Sequence, residues 1–207
     1  RRIRLYRLLF SATDLVTVQS SFEPGIYARR CDGRTSYRWV PWYFYGEARP
    51  VPPRRWRERW RQGLVLCPGS HRDTATFAAA VQGLGRRCVL VARREDIPRL
   101  PPPEALGGIE VRIELPREAY WALFDEAAVV VLPFHGERLL RSLGHIAYFT
   151  AALRRIPVLT SRTPHLADYA RPGIEVAGFQ PGDPLDLRRQ LDRLLSDAGL
   201  ANRLARG

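Results

Sequence analysis

Short, wholly apolar runs recur along the second two-thirds of the chain: Leu64–Cys67, Cys88–Ala92 and Ala128–Pro133. Between them lie segments with helical spacing, Arg72–Leu84 and Arg117–Ala127, and Ile109–Glu114 follows a proline-rich excursion over Ile97–Gly108. A run with no polar alternation is the pattern of a strand covered on both faces. Strands alternating with helices predict a parallel, doubly wound α/β sheet. Near the end, Leu185–Ser196 carries leucines at 187, 191, 194 and 195, the stripe of an amphipathic helix, and a helical turn over Leu200–Ala205 follows.

The first third reads differently. Ile3–Phe10 has helical spacing with arginines opposite, and Asp14–Gln19 is a candidate buried strand. Ser20 and Ser21 can cap a helix over Phe22–Arg30. Tyr37–Tyr45 is strongly aromatic, and its Pro41 suits an edge strand or an extended exit segment. Pro50, Pro52 and Pro53 then stiffen a linker over residues 46–62. Within it, Arg54–Gln62 forms a helical turn or two with Trp56 and Trp60 on one face. Those tryptophans either pack against one of two lobes or form a foot for a membrane or nucleic acid. So short a helix binds a membrane poorly unaided, which favours packing.

The stretch from Gly144 to Asp183 is the expected functional centre. A glycine opens an apolar helix there, a short strand (Pro157–Thr160) follows, then a short helix (Pro164–Ala170) and a strand ending in a Pro-Gly-Asp turn. Glycine at a helix start allows close approach to the backbone, and the exposed N–H groups favour an anion. In a doubly wound sheet the ligand sits beyond the carboxyl ends of the strands. The loops after Cys67, Ala92, Glu114 and Pro133 therefore converge on one rim, bringing Ser70, His71, Arg72, Arg93, His135, Gly144 and His145 together. Asp168–Tyr169 reads as structural, and Gly182–Asp183 as a turn and helix cap.

Composition refines this picture. The 207 residues suffice for one good core, or one domain plus part of another, and 45% hydrophobic content argues for a folded chain. All 33 basic residues are arginine, giving a formal charge of +12. That charge suits nucleic acid, anionic lipid or an acidic substrate, although a GC-rich genome also enriches arginine. Three cysteines (Cys31, Cys67, Cys88) lack metal-ligand spacing and read as free thiols in a reducing compartment. No apolar run approaches the ~20 residues of a membrane span. Methionine is absent, so Arg1 is expected to follow processing or to open a piece of a longer chain.

The segment GSHRDTATFAAAV (Gly69–Val81) resembles the strand–loop–helix opening of the nucleotide-sugar-binding lobe of GT-B glycosyltransferases, in their family 4-like branch. GHIAYFTAALRRIPVLTS and HLADYARPGIEVAGFQPGD are similar to that branch's next two segments. The resemblance covers about residues 63–207, with a weaker echo in 1–45. It implies a C-terminal Rossmann-like, nucleotide-sugar-binding lobe at 63–207, an interlobe linker at 46–62, and a remnant of the acceptor-side lobe at 1–45. The implied reaction moves a sugar from a nucleoside-diphosphate sugar to an acceptor: a glycan, a lipid-linked molecule or a small molecule. Arg72, Gly144, His145 and Ile146 are then expected at the diphosphate, and Ser70, His71, Arg93, Leu115 and Thr150 at the nucleoside and sugar.

The resemblance implies no cofactor beyond the sugar nucleotide as co-substrate, and no metal, since GT-B enzymes generally need none and no Asp-x-Asp pair occurs. Thr150 stands where the branch usually has an acidic residue, and Ala151–Ala152–Leu153–Arg154–Arg155 replaces Ala-Met-Ala-x-Gly. No catalytic base is assigned, because an inverting enzyme would carry it on the other lobe. The expected location is cytoplasmic, free or peripheral at the inner face of the membrane, with no nucleic-acid partner. Other readings stay open: a non-catalytic nucleotide-sugar-binding scaffold, a basic module for nucleic acid or anionic surfaces, and a sugar-nucleotide epimerase.

Overall fold

The computed structural model describes residues 12–30, 35–42, 53–136 and 143–206. The helix expected over Ile3–Phe10, Cys31, the end of the aromatic segment at Tyr43–Tyr45, and Pro50 and Pro52 lie outside these residues. The chain begins with β1 (Leu15–Val18), α1 (Glu23–Arg30) and β2 (Ser36–Trp39), and the two strands pair in parallel. Helix α2 (Pro53–Gln62) leads into β3 (Leu64–Cys67), α3 (Thr74–Val81) and β4 (Cys88–Ala92). Two 3-10 turns, Arg94–Arg99 and Pro103–Leu106, occupy the proline-rich excursion before β5 (Ile109–Ile113). Next come α4 (Arg117–Glu126), β6 (Ala127–Leu132), α5 (His145–Leu153) and β7 (Val158–Ser161). The chain ends with β8 (Ala177–Phe179), α6 (Pro184–Ser196) and α7 (Ala198–Arg206).

Strands β3 to β8 form one six-stranded parallel sheet in the order β5-β4-β3-β6-β7-β8. The direction of winding reverses between β3 and β6, which opens a crevice beyond their carboxyl ends. Strand residues alternate between two cores. Leu64, Leu66, Val89, Val91, Val130 and Leu132 pack with Phe124 of α4 and Ala147 and Ala151 of α5. Val65, Cys67, Leu90, Val129 and Val131 pack with Phe77 of α3 and Leu187, Leu191 and Leu194 of α6. Both faces are therefore covered, which is why these strands carry no polar alternation. Cys67 and Cys88 are buried free thiols, as the apolar runs around them predict.

Several helices are shorter than their spacing predicts. Asp73 caps α3 through Thr76 N and Thr76 Oγ1, so the helix starts at Thr74 rather than Arg72. It ends before Gly83 and Gly85, both at positive φ. Of the expected helix over Pro164–Ala170, only Pro164–Leu166 is helical, as a 3-10 turn. Asp183 caps α6 as expected, accepting from Leu185 N and Asp186 N at 2.9 Å each.

The tryptophans of α2 pack onto protein. Trp56 is buried, its ring stacks on Trp60, and Trp60 Nε1 donates to Leu194 O at 2.8 Å. Arg59 donates to Arg154 O and Arg155 O, the orphan carbonyls at the end of α5 (2.8 and 2.9 Å). Burial pulls the Arg59 pKa down to about 10, with Asp125 opposing, so it stays cationic at neutral pH.

Arg155 itself holds a left-handed φ of 51°, a conformation that disfavours any residue with a Cβ. Its side chain is exposed. Arg155→Gly should therefore raise stability by about 0.5–1 kcal/mol once glycine's extra unfolded-state entropy is deducted. Denaturant unfolding at unchanged m-value checks this.

Candidate functional site

The loop after β3 turns at Gly69 (φ 87°) and again at His71 (φ 59°). This brings the Arg72 side chain back beneath its own loop. Arg72 Nε donates to Pro68 O and Nη1 to Ser70 O, both at 3.0 Å, and the guanidinium lies 5.0 Å from the centre of the Phe134 ring. Arg72 is only 8% exposed, yet among the described residues no carboxylate forms an ion pair with it. Desolvation lowers its pKa. The nearby Cys67 thiol and Tyr120 phenol do not neutralise it, because burial pushes each up to about 12. The site thus holds a fixed positive charge that touches only neutral groups, with the Asp96 carboxylate acting on it from beyond hydrogen-bond contact.

At the tip of the same phenylalanine ring, Gly144 is the N-cap of α5 at φ 85°. A Cβ there would lie 2.6 Å from Phe134 Cζ, so the approach of backbone to ring requires glycine. Among the described residues no side chain caps this helix, which leaves the first amides of α5 open to an acceptor. His145 is buried between Trp42 and Tyr169, and its Nε2 donates to His165 O at 3.1 Å. Ile146 faces outward at 46% exposure.

These two halves line one cavity of about 780 Å³ above the β3/β6 reversal. Ser70, Arg72, Arg93, Leu115, Gly144, His145 and Ile146 all border it. Three residues expected there, His71, His135 and Thr150, do not. The left-handed turn at His71 sends its side chain to the far side of the loop, into a smaller cavity of about 150 Å³ with Asp96, Arg99 and His135. Thr150 is fully buried, and its hydroxyl donates to Ile146 O at 2.6 Å, the preceding-turn bond typical of threonine in a helix. It does not line the larger cavity.

The structure adds residues that the sequence reading did not single out. Gln19 and Trp42 reach the cavity from the N-terminal unit, and Glu95, Glu114, Arg117 and Tyr120 come from the β4 and β5 side. Glu114 sits at φ 48°, an uncommon conformation that turns the chain sharply at the cavity's edge. Asp96 ties this side down by accepting from His71 N and Arg93 N. Asp168 and Tyr169 hold the N-terminal unit: Asp168 Oδ2 accepts from Ser21 N, while the Tyr169 hydroxyl accepts from Trp42 N and donates to Gln19 O. This matches the structural role read from their sequence. Among the described residues no group of three or more His, Cys, Asp or Glu is placed to hold a metal ion.

Similarity to solved structures decides the fold. The chain superposes on sucrose-phosphate synthase from Thermosynechococcus elongatus with a TM-score of 0.74 at 21% identity, over 99% of this chain and 54% of that one. It superposes on HepE from Anabaena, solved with UDP-glucose, with a TM-score of 0.76 at 12% identity, over 99% of this chain and 60% of that one. The chain has an α/β Rossmann-like fold that matches these GT-B glycosyltransferase structures. The C-terminal domain of LpcC, a glycosyl transferase group 1 protein from Francisella tularensis, matches 73% of this chain at TM-score 0.54 and 16% identity, with 86% of that domain covered. This chain thus spans between half and three-fifths of the length of the first two GT-B structures. No protein-family model and no curated protein sequence matches it. Among the described residues no helix is long and apolar enough to cross a membrane.

The His145 environment sets a pH dependence. Desolvation lowers its pKa, with the His165 carbonyl opposing. The unfolded chain then takes up the proton first, so this contribution to stability is present above the unfolded value of about 6.5 and is lost as pH falls through the folded one. Unfolding free energy should decline from pH 7 towards pH 5, and His145→Asn should flatten that slope in paired urea titrations.

Proposed function

We propose that this chain is the donor-binding half of a GT-B glycosyltransferase of the family 4-like branch, transferring a sugar from a nucleoside-diphosphate sugar to an acceptor. The observation that carries the reading is the convergence of a buried, unpaired Arg72 and the uncapped start of α5 on one phenylalanine, inside one cavity. Breaking the bond between the sugar's anomeric carbon and the diphosphate oxygen leaves that electron pair, and a growing negative charge, on the departing diphosphate. Prearranged donors in a dry site stabilise such charge far more than water does. Arg72 supplies a full charge and the amides of His145 and Ile146 supply helix-terminal partial charge. The acceptor oxygen takes over the anomeric carbon, and this reading invokes no metal. HepE, solved with UDP and with UDP-glucose, has the same fold.

In this reading residues 63–207 are the nucleotide-sugar domain, residues 46–62 join it to the acceptor side, and residues 1–45 belong to that side. The acceptor is a glycan, a lipid-linked molecule or a small molecule. A lipid-linked one would place the protein at the inner face of the membrane, with the exposed Arg55, Arg57 and Arg61 of α2 available to anionic headgroups. Nucleic acid is not the partner.

A panel of UDP, ADP, GDP and inorganic phosphate in thermal unfolding tests this. At least one nucleoside diphosphate should raise the midpoint by several degrees and phosphate alone should not, since only a ligand preferring the native state stabilises it. No shift with any diphosphate, together with salt-sensitive binding of nucleic acid, would overturn the reading. The sealed Thr150 favours a second reading, a non-catalytic binder of the same ligand. Release of diphosphate from a sugar donor separates the two.

A further inference from the structure

Tyr120 enters the cavity from α4, a helix that neither Arg72 nor the start of α5 belongs to. Its ring is fixed by edge contacts with Trp121 (5.1 Å between centroids) and Phe124 (5.3 Å). Phe124 is fully buried, so the ring has a rigid floor. The residue lines the cavity, and its hydroxyl, at the other end of the ring, forms no hydrogen bond with the described residues. A phenol anchored by its ring and left open at its oxygen is a donor aimed at whatever fills the cavity.

What it faces narrows the ligand. The Tyr120 hydroxyl lies 4.0 Å from the point where a Cβ on Gly69 would stand, and Arg72 Nη2 lies 3.3 Å from the same point. Nη2 is also the guanidinium nitrogen that bonds neither Pro68 O nor Ser70 O. Two unused donors, one charged and one neutral, thus meet at the bare backbone of Gly69. Burial keeps the phenol protonated at neutral pH, so it can donate but does not compete with an anion for Arg72. The carboxylates on this wall, Glu95 and Glu114, lie with Arg93 and Arg94 respectively, rather than with this donor pair.

We propose that the Tyr120 hydroxyl and Arg72 Nη2 form a two-point seat for a single diphosphate oxygen group, making Tyr120 a binding determinant for the charged part of the ligand rather than for its base. The inference rests on the nucleoside-diphosphate reading above and adds a residue to it. Tyr120→Phe keeps the ring and its packing and removes only the oxygen. Calorimetric titrations of the full chain and of this variant with UDP, inorganic pyrophosphate and uridine test it. The expected result is a tenfold or greater weakening for UDP and for pyrophosphate, as for loss of a hydrogen bond to a charged acceptor, with uridine and the ligand-free melting point unchanged. If the unaltered chain binds neither UDP nor pyrophosphate, this inference and the nucleotide reading fall together. If it binds UDP and the variant binds it equally well, or if the variant melts earlier without ligand, the seat is wrong while the nucleotide reading stands.

Discussion

Gly144→Ala lowers the unfolding free energy by about 3 kcal/mol, combining left-handed strain on an L-residue with a steric overlap against a core ring. The strain follows from φ 85°, and the overlap from the 2.6 Å between the new methyl and Phe134 Cζ. Phe134 cannot easily yield, since it is buried, stacked on His165 at 4.7 Å and covered by Arg72. For a domain of this size the loss corresponds to a fall in melting midpoint of roughly 6–12 °C. Calorimetry or denaturant unfolding measures it directly. The double variant Gly144→Ala with Phe134→Leu separates the two causes, because the smaller side chain removes the overlap and leaves the strain. Recovery of about half the loss is expected. A single variant as stable as the parent would mean that the start of α5 does not touch the ring.

Arg72→Met reverses the usual relation between a buried residue and stability. A buried guanidinium with no carboxylate has given up its hydration for two carbonyl bonds, so a flexible apolar side chain of similar length should leave the ligand-free melting point within a few degrees, or raise it. Ligand affinity should behave oppositely. Removing the charge that faces a diphosphate costs roughly 3–4 kcal/mol, a hundredfold or more in dissociation constant. The diagnostic pairing is a stable variant whose melting point no longer responds to UDP. Lysine at this position should not restore binding, because it has one nitrogen where Arg72 holds Pro68 O and Ser70 O with two and keeps a third for the ligand. A variant that unfolds readily, or one that still binds normally, would move the anion site elsewhere.

Much of the sheet is legible in the sequence because its cause is local. Runs such as VLVA over 89–92 and VVVL over 129–132 are apolar throughout since each face meets a helix layer. The loops at Gly69 and Gly144 are legible for a related reason: each needs a positive φ that glycine supplies without strain. What failed was side-chain direction. His71 and Arg72 are neighbours in sequence, but with the backbone left-handed at His71 only Arg72 reaches the larger cavity, while His71 lines only the smaller one. Thr150 lies too far along α5 and on its inner face, where the carbonyl one turn back already takes its hydroxyl. Tyr120 was missed for the opposite reason. Beside Trp121 and Phe124 it reads as one more core aromatic, and only the tertiary arrangement shows that it also lines the cavity.

One oxygen atom governs the edge of the cavity nearest the N-terminal unit. The Tyr169 phenol holds both the carbonyl of Gln19 and the amide of Trp42, two residues from different segments that together form that wall. A segment that retreats gives up its own bond to that oxygen and leaves the hydroxyl half-satisfied. Both segments are therefore referenced to a single side-chain oxygen, and the position of this wall follows the position of Tyr169.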